Sequence, residues 1–286
     1  PQPVHIVRRL LEFFDRHATP IHLLFLDWAK AFDTISHEAI DLSLQRLGVP
    51  EPFVQAVSAL YRSPTFKVKD SYSVSSSFAQ GRGVRQGCPL SPFLFTCVLT
   101  CVMADCDTEY KDRFGDLPSV YASASPMWDL EYADDTVLYS RCGECMQRLL
   151  HILQRRAAGV GLLLNEAKCE HLQIKTDMRI HFATSPVSEP CYCPLCHSGP
   201  VRPGLLVPVS GLVKYLGVHL TAKGLPGPDL SRRLSKAYGA SKLLAPFFKS
   251  KSLPVSWRLR VYSQVLQSII AYSTESTVVN LSLIHI

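Results

Sequence analysis

Apolar residues recur every three to four positions at Val4, Val7, Leu10, Leu11 and Phe14, which predicts an amphipathic helix over 4–16. The period then changes. Residues 21–26 form an almost unbroken apolar run of strand length that stops at Asp27, the pattern of a strand buried on both faces. Ser36 stands as an N-cap ahead of Ile40, Leu44 and Leu47, and Gly48 and Pro50 end that helix. Another helix is expected over 52–61. Alternation through Phe66, Val68, Tyr72, Val74 and Phe78 predicts a ribbon of strands over 65–80, leading into the glycine-rich turn 81–87.

A helix is expected over 89–110, then two short strands, 130–132 and 136–139, joined by Ala133, Asp134 and Asp135. Next come a helix presenting Leu149, Leu150, Leu153 and Ala157, and a strand over 170–175. Residues 178–212 are irregular and rich in Pro, Gly, Ser and Cys, a strand pair is expected around 213–220, and the pattern over 230–274 is helical. This order describes an α/β (α+β) fold in which an antiparallel sheet carries helices on one face.

With 286 residues, 47% hydrophobic and 19% charged, the chain can bury a sizeable core, which excludes a disordered polymer. The net charge of +6 is a mild bias towards a polyanionic partner. Its distribution says more: 230–274 holds Arg232, Arg233, Lys236 and five further basic residues without one carboxylate, the signature of a surface that grips phosphates. Ten cysteines at irregular spacing, after an opening that lacks a secretory pattern, read as mostly reduced thiols of an intracellular protein, nuclear or cytoplasmic. The uncharged stretch between Arg85 and Asp105 is long enough for a bilayer but carries Gln86, Pro89, Ser91 and Pro92, so a buried helix is expected and no membrane partner. Both ends look cut, which reads as a fragment.

Asp27 ends a buried strand, and Asp134 and Asp135 occupy the turn of a strand pair a hundred residues later, so three carboxylates can meet at one sheet edge. Carboxylates that close repel unless a cation neutralises them, and hard oxygens without His or Cys favour Mg²⁺. Two such ions can activate an attacking hydroxyl and stabilise a leaving pyrophosphate. Each aspartate taken singly also fits ordinary turn or capping chemistry.

Five runs stand in order along the chain: 24–33 around Asp27, 83–92 with Arg85, Gln86 and Gly87, Tyr132 to Asp135, 161–168 ending at Lys168, and Lys214-Tyr215-Leu216-Gly217. Together they resemble motifs A to E of a reverse transcriptase, most closely the non-LTR retrotransposon (LINE-like) type. The resemblance implies a right-hand polymerase palm with an antiparallel sheet and packed helices, partial fingers and a helical thumb. Residues 1–20 would be a fingers remnant or connection. Residues 21–212 would be palm with fingers elements and a Cys-rich insertion near 178–212, 213–229 a primer-grip-like hairpin, and 230–286 a truncated basic thumb.

It also implies roles. Asp27, Asp134 and Asp135, with the carbonyl of Trp28, would hold two Mg²⁺ ions, for which Mn²⁺ can substitute. Lys168 would protonate the leaving pyrophosphate. Ala31, Phe32, Arg85, Gln86 and Gly87 would surround the incoming deoxynucleotide, with Phe32 as the steric gate against a 2′-hydroxyl. Tyr132, Lys214, Tyr215, Leu216, Gly217, Arg232, Arg233 and Lys236 would contact primer and template. The partners implied are an RNA template, a DNA primer or nicked target DNA, and dNTPs. A catalytically dead nucleic-acid-binding remnant and a group II intron-type or domesticated reverse transcriptase are the alternatives. Cys191, Cys193, Cys196 and His197 have a zinc-like spacing but lack a second ligand pair, so zinc is not expected there.

Overall fold

The computed structural model describes residues 2–117, 128–183, 204–224 and 227–272, and the Cys191–His197 cluster lies outside them. Contacts divide the chain into two units. One comprises Ile21–His171 and Asp177–Val209, and the other Pro1–Pro20, Leu172–Thr176 and Ser210–Ile286.

The larger unit is built on β1 (Ile21–Leu26), β4 (Asp129–Tyr132) and β5 (Asp135–Ser140), in the sheet order β4-β5-β1, with β5 antiparallel to both β4 and β1, and β6 (Glu170–Ile174) starts in this unit and continues into the other. All six residues of β1 are buried, as expected of a strand covered on both faces. Successive side chains alternate between faces. Leu24, Leu26, Trp28 and Leu138 therefore share one face, where they join a core with residues of α3 (His37–Arg46), α5 (Ser91–Phe114) and α6 (Gly143–Gly159). Ser36 caps α3 by accepting the Ala39 N–H at 3.1 Å. The apolar stretch that mimicked a membrane span lies in α5, which is buried along Leu94, Phe95, Val98, Leu99 and Val102. No helix among the described residues is long and apolar enough to cross a membrane.

Short elements complete this unit: α2 (Ala31–Thr34), α4 (Glu51–Tyr61), β2 (Thr65–Phe66) and β3 (Phe78–Ala79). Two expectations shift here. The ribbon over 65–80 pairs regularly only at β2 and β3, both exposed, because an exposed two-stranded ribbon gains little from extending its ladder. The β4–β5 loop shortens to Ala133 and Asp134, with Asp135 already in the strand, because Ala133 adopts φ +55° and reverses the chain within two residues.

In the second unit, α1 (Gln2–Arg16) belongs with the hairpin β7 (Leu212–Tyr215) and β8 (Val218–Thr221) and with the C-terminal helices. Those helices are α7 (Gly227–Leu243), α8 (Ala245–Lys249), α9 (Val255–Val261), a π-helical turn over Tyr262–Gln267, and α10 (Ser268–Ala271). Pro246 and Pro254 lie at the starts of α8 and α9, which is why the continuous helical pattern breaks there.

Candidate functional site

The strand register brings the motif residues together. Leu26 pairs with Thr136, so the next step places Asp27 opposite Asp135, while Asp135 pairs with Tyr132 on its other side. Tyr132, Asp135 and Asp27 thus form a row across three strands, on the face opposite the helix-packed core. Asp134 sits at the tip of the two-residue loop, and Asp134, Asp135 and Tyr132 are all exposed. The other face fixes this edge: the Trp28 indole N–H donates to Thr136 Oγ1 at 3.1 Å, tying the end of β1 to the start of β5.

The segment after α6 closes against Asp27 from a third direction. Trp28 and Leu164 form an antiparallel bridge, in which Asn165 N–H donates to the Asp27 carbonyl (2.8 Å) and Ala29 N–H to the Leu163 carbonyl (2.7 Å). The flanking residues supply both bonds, so the bridge leaves the Trp28 carbonyl unused. The turn that follows carries Lys168, whose ammonium lies 3.8 Å from Asp27 Oδ2. Beneath it, the Asp27 N–H donates to Cys169 Sγ at 3.5 Å. Burial pushes the Cys169 thiol up to about 11, so it stays a neutral support under the carboxylate.

Two glycines lock this geometry. Gly83, at φ +84°, donates its N–H to the Ile35 carbonyl, and Val84 donates to that of Phe32, so the 83–87 turn is sewn onto the segment after Asp27. Gly161, at φ +89°, lies against the Thr34 backbone, where an added Cβ would come within 2.3 Å of the carbonyl oxygen. Phe32 is half-buried, with its ring 5.0 Å from that of Phe95, whereas Ala31 is buried in the core. Arg85, Gln86 and Gly87 are exposed. The Arg85 carbonyl accepts from Ser91 Oγ at 2.7 Å, which fixes the turn to the start of α5.

Among the described residues, no three His, Cys, Asp or Glu side chains converge closely enough to hold one ion. The backbone brings Asp27, Asp134 and Asp135 to one edge, where Asp27 lies beside the Lys168 ammonium. The donor set itself, exposed carboxylates without a neighbouring imidazole or thiolate ligand, suits a hard divalent cation.

In the other unit, Leu216 (φ +45°) and Gly217 (φ +77°) form the two-residue turn of the β7–β8 hairpin, and the Tyr272 hydroxyl donates to the Leu216 carbonyl at 2.8 Å. Lys214, His219, Ser231, Arg232, Ser235 and Lys236 line an open groove of about 480 Å³. Tyr215 and Arg233 do not reach it from the surface. Tyr215 is buried, and the Arg233 guanidinium is spent on buried Asp229 at 2.7 Å. Asp229 also pairs with Arg8 of α1 at 3.2 Å and accepts the His219 backbone N–H at 2.9 Å, so one carboxylate ties together α1, β8 and α7. Sequence patterns gave no sign of this hub, because Asp229 precedes the basic segment and Arg8 is more than two hundred residues away. Cys169 and Thr136 were equally silent; only their adjacency to the motif residues set them apart.

Residues 2–220 match the family described as "Reverse transcriptase (RNA-dependent DNA polymerase)". Similar curated proteins include the retrovirus-related Pol polyprotein from type-2 retrotransposable element R2DM of Drosophila melanogaster, 32% identical over 170 residues, which are 59% of this chain and 15% of that protein. The Transposon TX1 uncharacterized 149 kDa protein of Xenopus laevis is 27% identical over 253 residues, 85% of this chain and 17% of that protein. The chain therefore spans less than a fifth of the length of either relative. Among solved structures, an apo telomerase from Candida tropicalis truncated from its C-terminal domain superimposes with a TM-score of 0.50 at 12% identity, covering 79% of this chain and 39% of that one, a likeness of fold.

Proposed function

We propose, since this chain belongs to the reverse transcriptase (RNA-dependent DNA polymerase) family, that it is the polymerase module of a non-LTR retrotransposon protein, extending a DNA primer along an RNA template with dNTPs. The larger unit would be the palm, and the C-terminal helices the thumb. The observation that carries the reading is the strand register that sets Asp27 opposite Asp135, with Asp134 beside them on an exposed edge.

Asp27, Asp134 and Asp135, with the Trp28 carbonyl, would hold two Mg²⁺ or Mn²⁺ ions. Bound there, such ions would lower the pKa of the primer 3′-hydroxyl and offset the charge that builds on the leaving pyrophosphate. Attack of that hydroxyl on the α-phosphorus forms one P–O bond and breaks the bond to pyrophosphate. Lys168, held beside Asp27, is placed to give a proton to the departing oxygen. Phe32, backed by Phe95, forms a wall that admits a deoxyribose and collides with a 2′-hydroxyl. The exposed turn at Arg85, Gln86 and Gly87, sewn to the Phe32 backbone, lies against the nascent base pair. Lys214, Arg232 and Lys236 grip the duplex through its phosphates.

Primer extension on poly(rA)–oligo(dT) with Mg²⁺ tests this reading. The chain is expected to add dT, and Asp134→Asn to fall to background. Incorporation that ignores the substitution would contradict it. A nucleic-acid-binding remnant, the reading favoured by the lack of three metal-ligating side chains close enough to hold one ion among the described residues, is supported instead if the unsubstituted chain binds duplex and extends nothing.

A further inference from the structure

Between α4 and the Gly83–Gly87 turn, the chain runs out and back as a narrow ribbon that contributes nothing to the core. Phe66 and Phe78 face one another across its ladder, their rings stacked 5.6 Å apart and tilted by 28°. They are 48% and 47% exposed, and Tyr72, at the far end, is 97% exposed. Two half-bare phenylalanines on an exposed two-stranded ribbon cost solvation free energy, which favours a ligand there.

Charge narrows the ligand's chemistry. Arg62, Lys67, Lys69 and Arg82 on the ribbon and its base are exposed, against Asp70 alone, a balance of four positive charges to one negative over 62–82. Lys67 and Lys69 follow Phe66 along the ribbon, and their long basic stems can reach round the aromatic pair. A stacked, half-exposed aromatic pair with cations beside it suits a polyanion that carries exposed π-faces, which is an unpaired nucleic-acid strand. A base-paired duplex hides those faces. The ribbon is also tied to the copying site: four residues after β3, Gly83 begins the turn held to the Ile35 and Phe32 carbonyls.

We propose that the 65–79 ribbon is a stacking platform for the unpaired RNA template strand before it is copied. The proposal rests on the polymerase reading for its choice of strand, and on the ribbon's own surface for its chemistry.

Fluorescence anisotropy tests it with two probes, a DNA primer annealed to an RNA template with ten unpaired 5′ nucleotides and the same duplex with blunt ends. The chain is expected to bind the overhang probe more tightly. Joint Phe66→Ala and Phe78→Ala substitution should weaken overhang binding about tenfold, in keeping with the loss of one stacked base, and leave blunt binding alone. Joint Phe→Tyr should retain the preference and joint Phe→Leu should lose it, because stacking requires a ring. Both rings are solvent-exposed, and an unchanged melting temperature will show that the variants fold. Equal affinity for the two probes, a Leu pair that behaves like the parent chain, or equal weakening on both probes would overturn the proposal. So would an Ala pair that abolishes self-association in sedimentation without touching overhang binding, which would assign the ribbon to a second copy of the chain. The two readings fail separately: extension without overhang preference sinks the ribbon alone, and overhang preference without Asp134-dependent extension sinks the polymerase alone.

Discussion

At Gly83 a hydrogen stands where any other residue would place a carbon 2.6–2.7 Å from the backbone of Asp33, and its φ of +84° is one that L side chains resist. Gly83→Ala therefore combines a left-handed backbone cost of about 1 kcal/mol with a collision that backbone cannot easily relieve. The expected sum, roughly 2 kcal/mol or more, corresponds to a fall of about 4–8 °C in Tm for a chain of this size. Gly81→Ala, in open space without a left-handed φ, should leave Tm unchanged. Equal melting of the two variants would mean that the 83–87 turn is not locked to the strand end. Phe32 supplies the chemical counterpart. Its ring leans on Phe95, so Phe32→Ala should open space beneath the sugar and raise ribonucleotide incorporation, relative to deoxynucleotide, at least about tenfold, a 1.4 kcal/mol effect. Unchanged sugar selectivity in competitive extension would remove Phe32 from the gate.

Strand β4, at the edge of the sheet, carries two buried carboxyls. Asp129 and Glu131 alternate onto the face that packs against the helices, and Glu131 Oε1 is buried without a hydrogen-bond partner. Burial, with Asp107 nearby, raises the Asp129 carboxyl to about 6, and burial, with Asp129 nearby, raises that of Glu131 to about 7. A carboxyl whose folded pKa is raised stabilises the fold fully below its unfolded value near 4, and that contribution is lost as pH climbs through the folded value. Buried His22 and His171, 3.1 Å apart and lowered by burial to about 4 and about 3, act with the opposite sign. Their stabilisation is present above pH 6.5 and is lost as pH falls. The two effects oppose each other between pH 4 and 7, so the parent chain's pH curve hides both. Glu131→Gln isolates one: urea unfolding should show it more stable than the parent at pH 8, by up to about 3 kcal/mol, with the gain shrinking to nothing near pH 4. A gain independent of pH would show that Glu131 is not held protonated by its surroundings.

Across the whole molecule, what the sequence made legible was whatever depends on local pattern. The buried run ending at Asp27, the Ser36 cap, the long core helix after Pro92 and the hairpin carrying Asp134 and Asp135 each follow from hydrophobic period or turn chemistry, and each appears within a few residues of its expected place. What stayed hidden depends on partners distant in sequence. The Asp229 hub joins residues from both ends of the second unit, the Cys169 support under Asp27 spans 142 positions, and the burial of Arg233 removes from the exposed basic surface a cation that composition had counted there. Ribbon 65–80 was legible as alternation, but its short ladder reflects its exposure on both strands, which alternation does not encode.

The copying reaction proposed here stands on Asp27, Asp134 and Asp135 acting as one ligand set. Electron paramagnetic resonance titration of Mn²⁺ into the chain, with a dideoxy-terminated primer, its RNA template and the next dNTP, counts the ions directly. Two bound ions for the parent chain, and fewer than two at the same concentrations for Asp27→Asn and for Asp134→Asn, are the predicted result. The same count in all three proteins would contradict it.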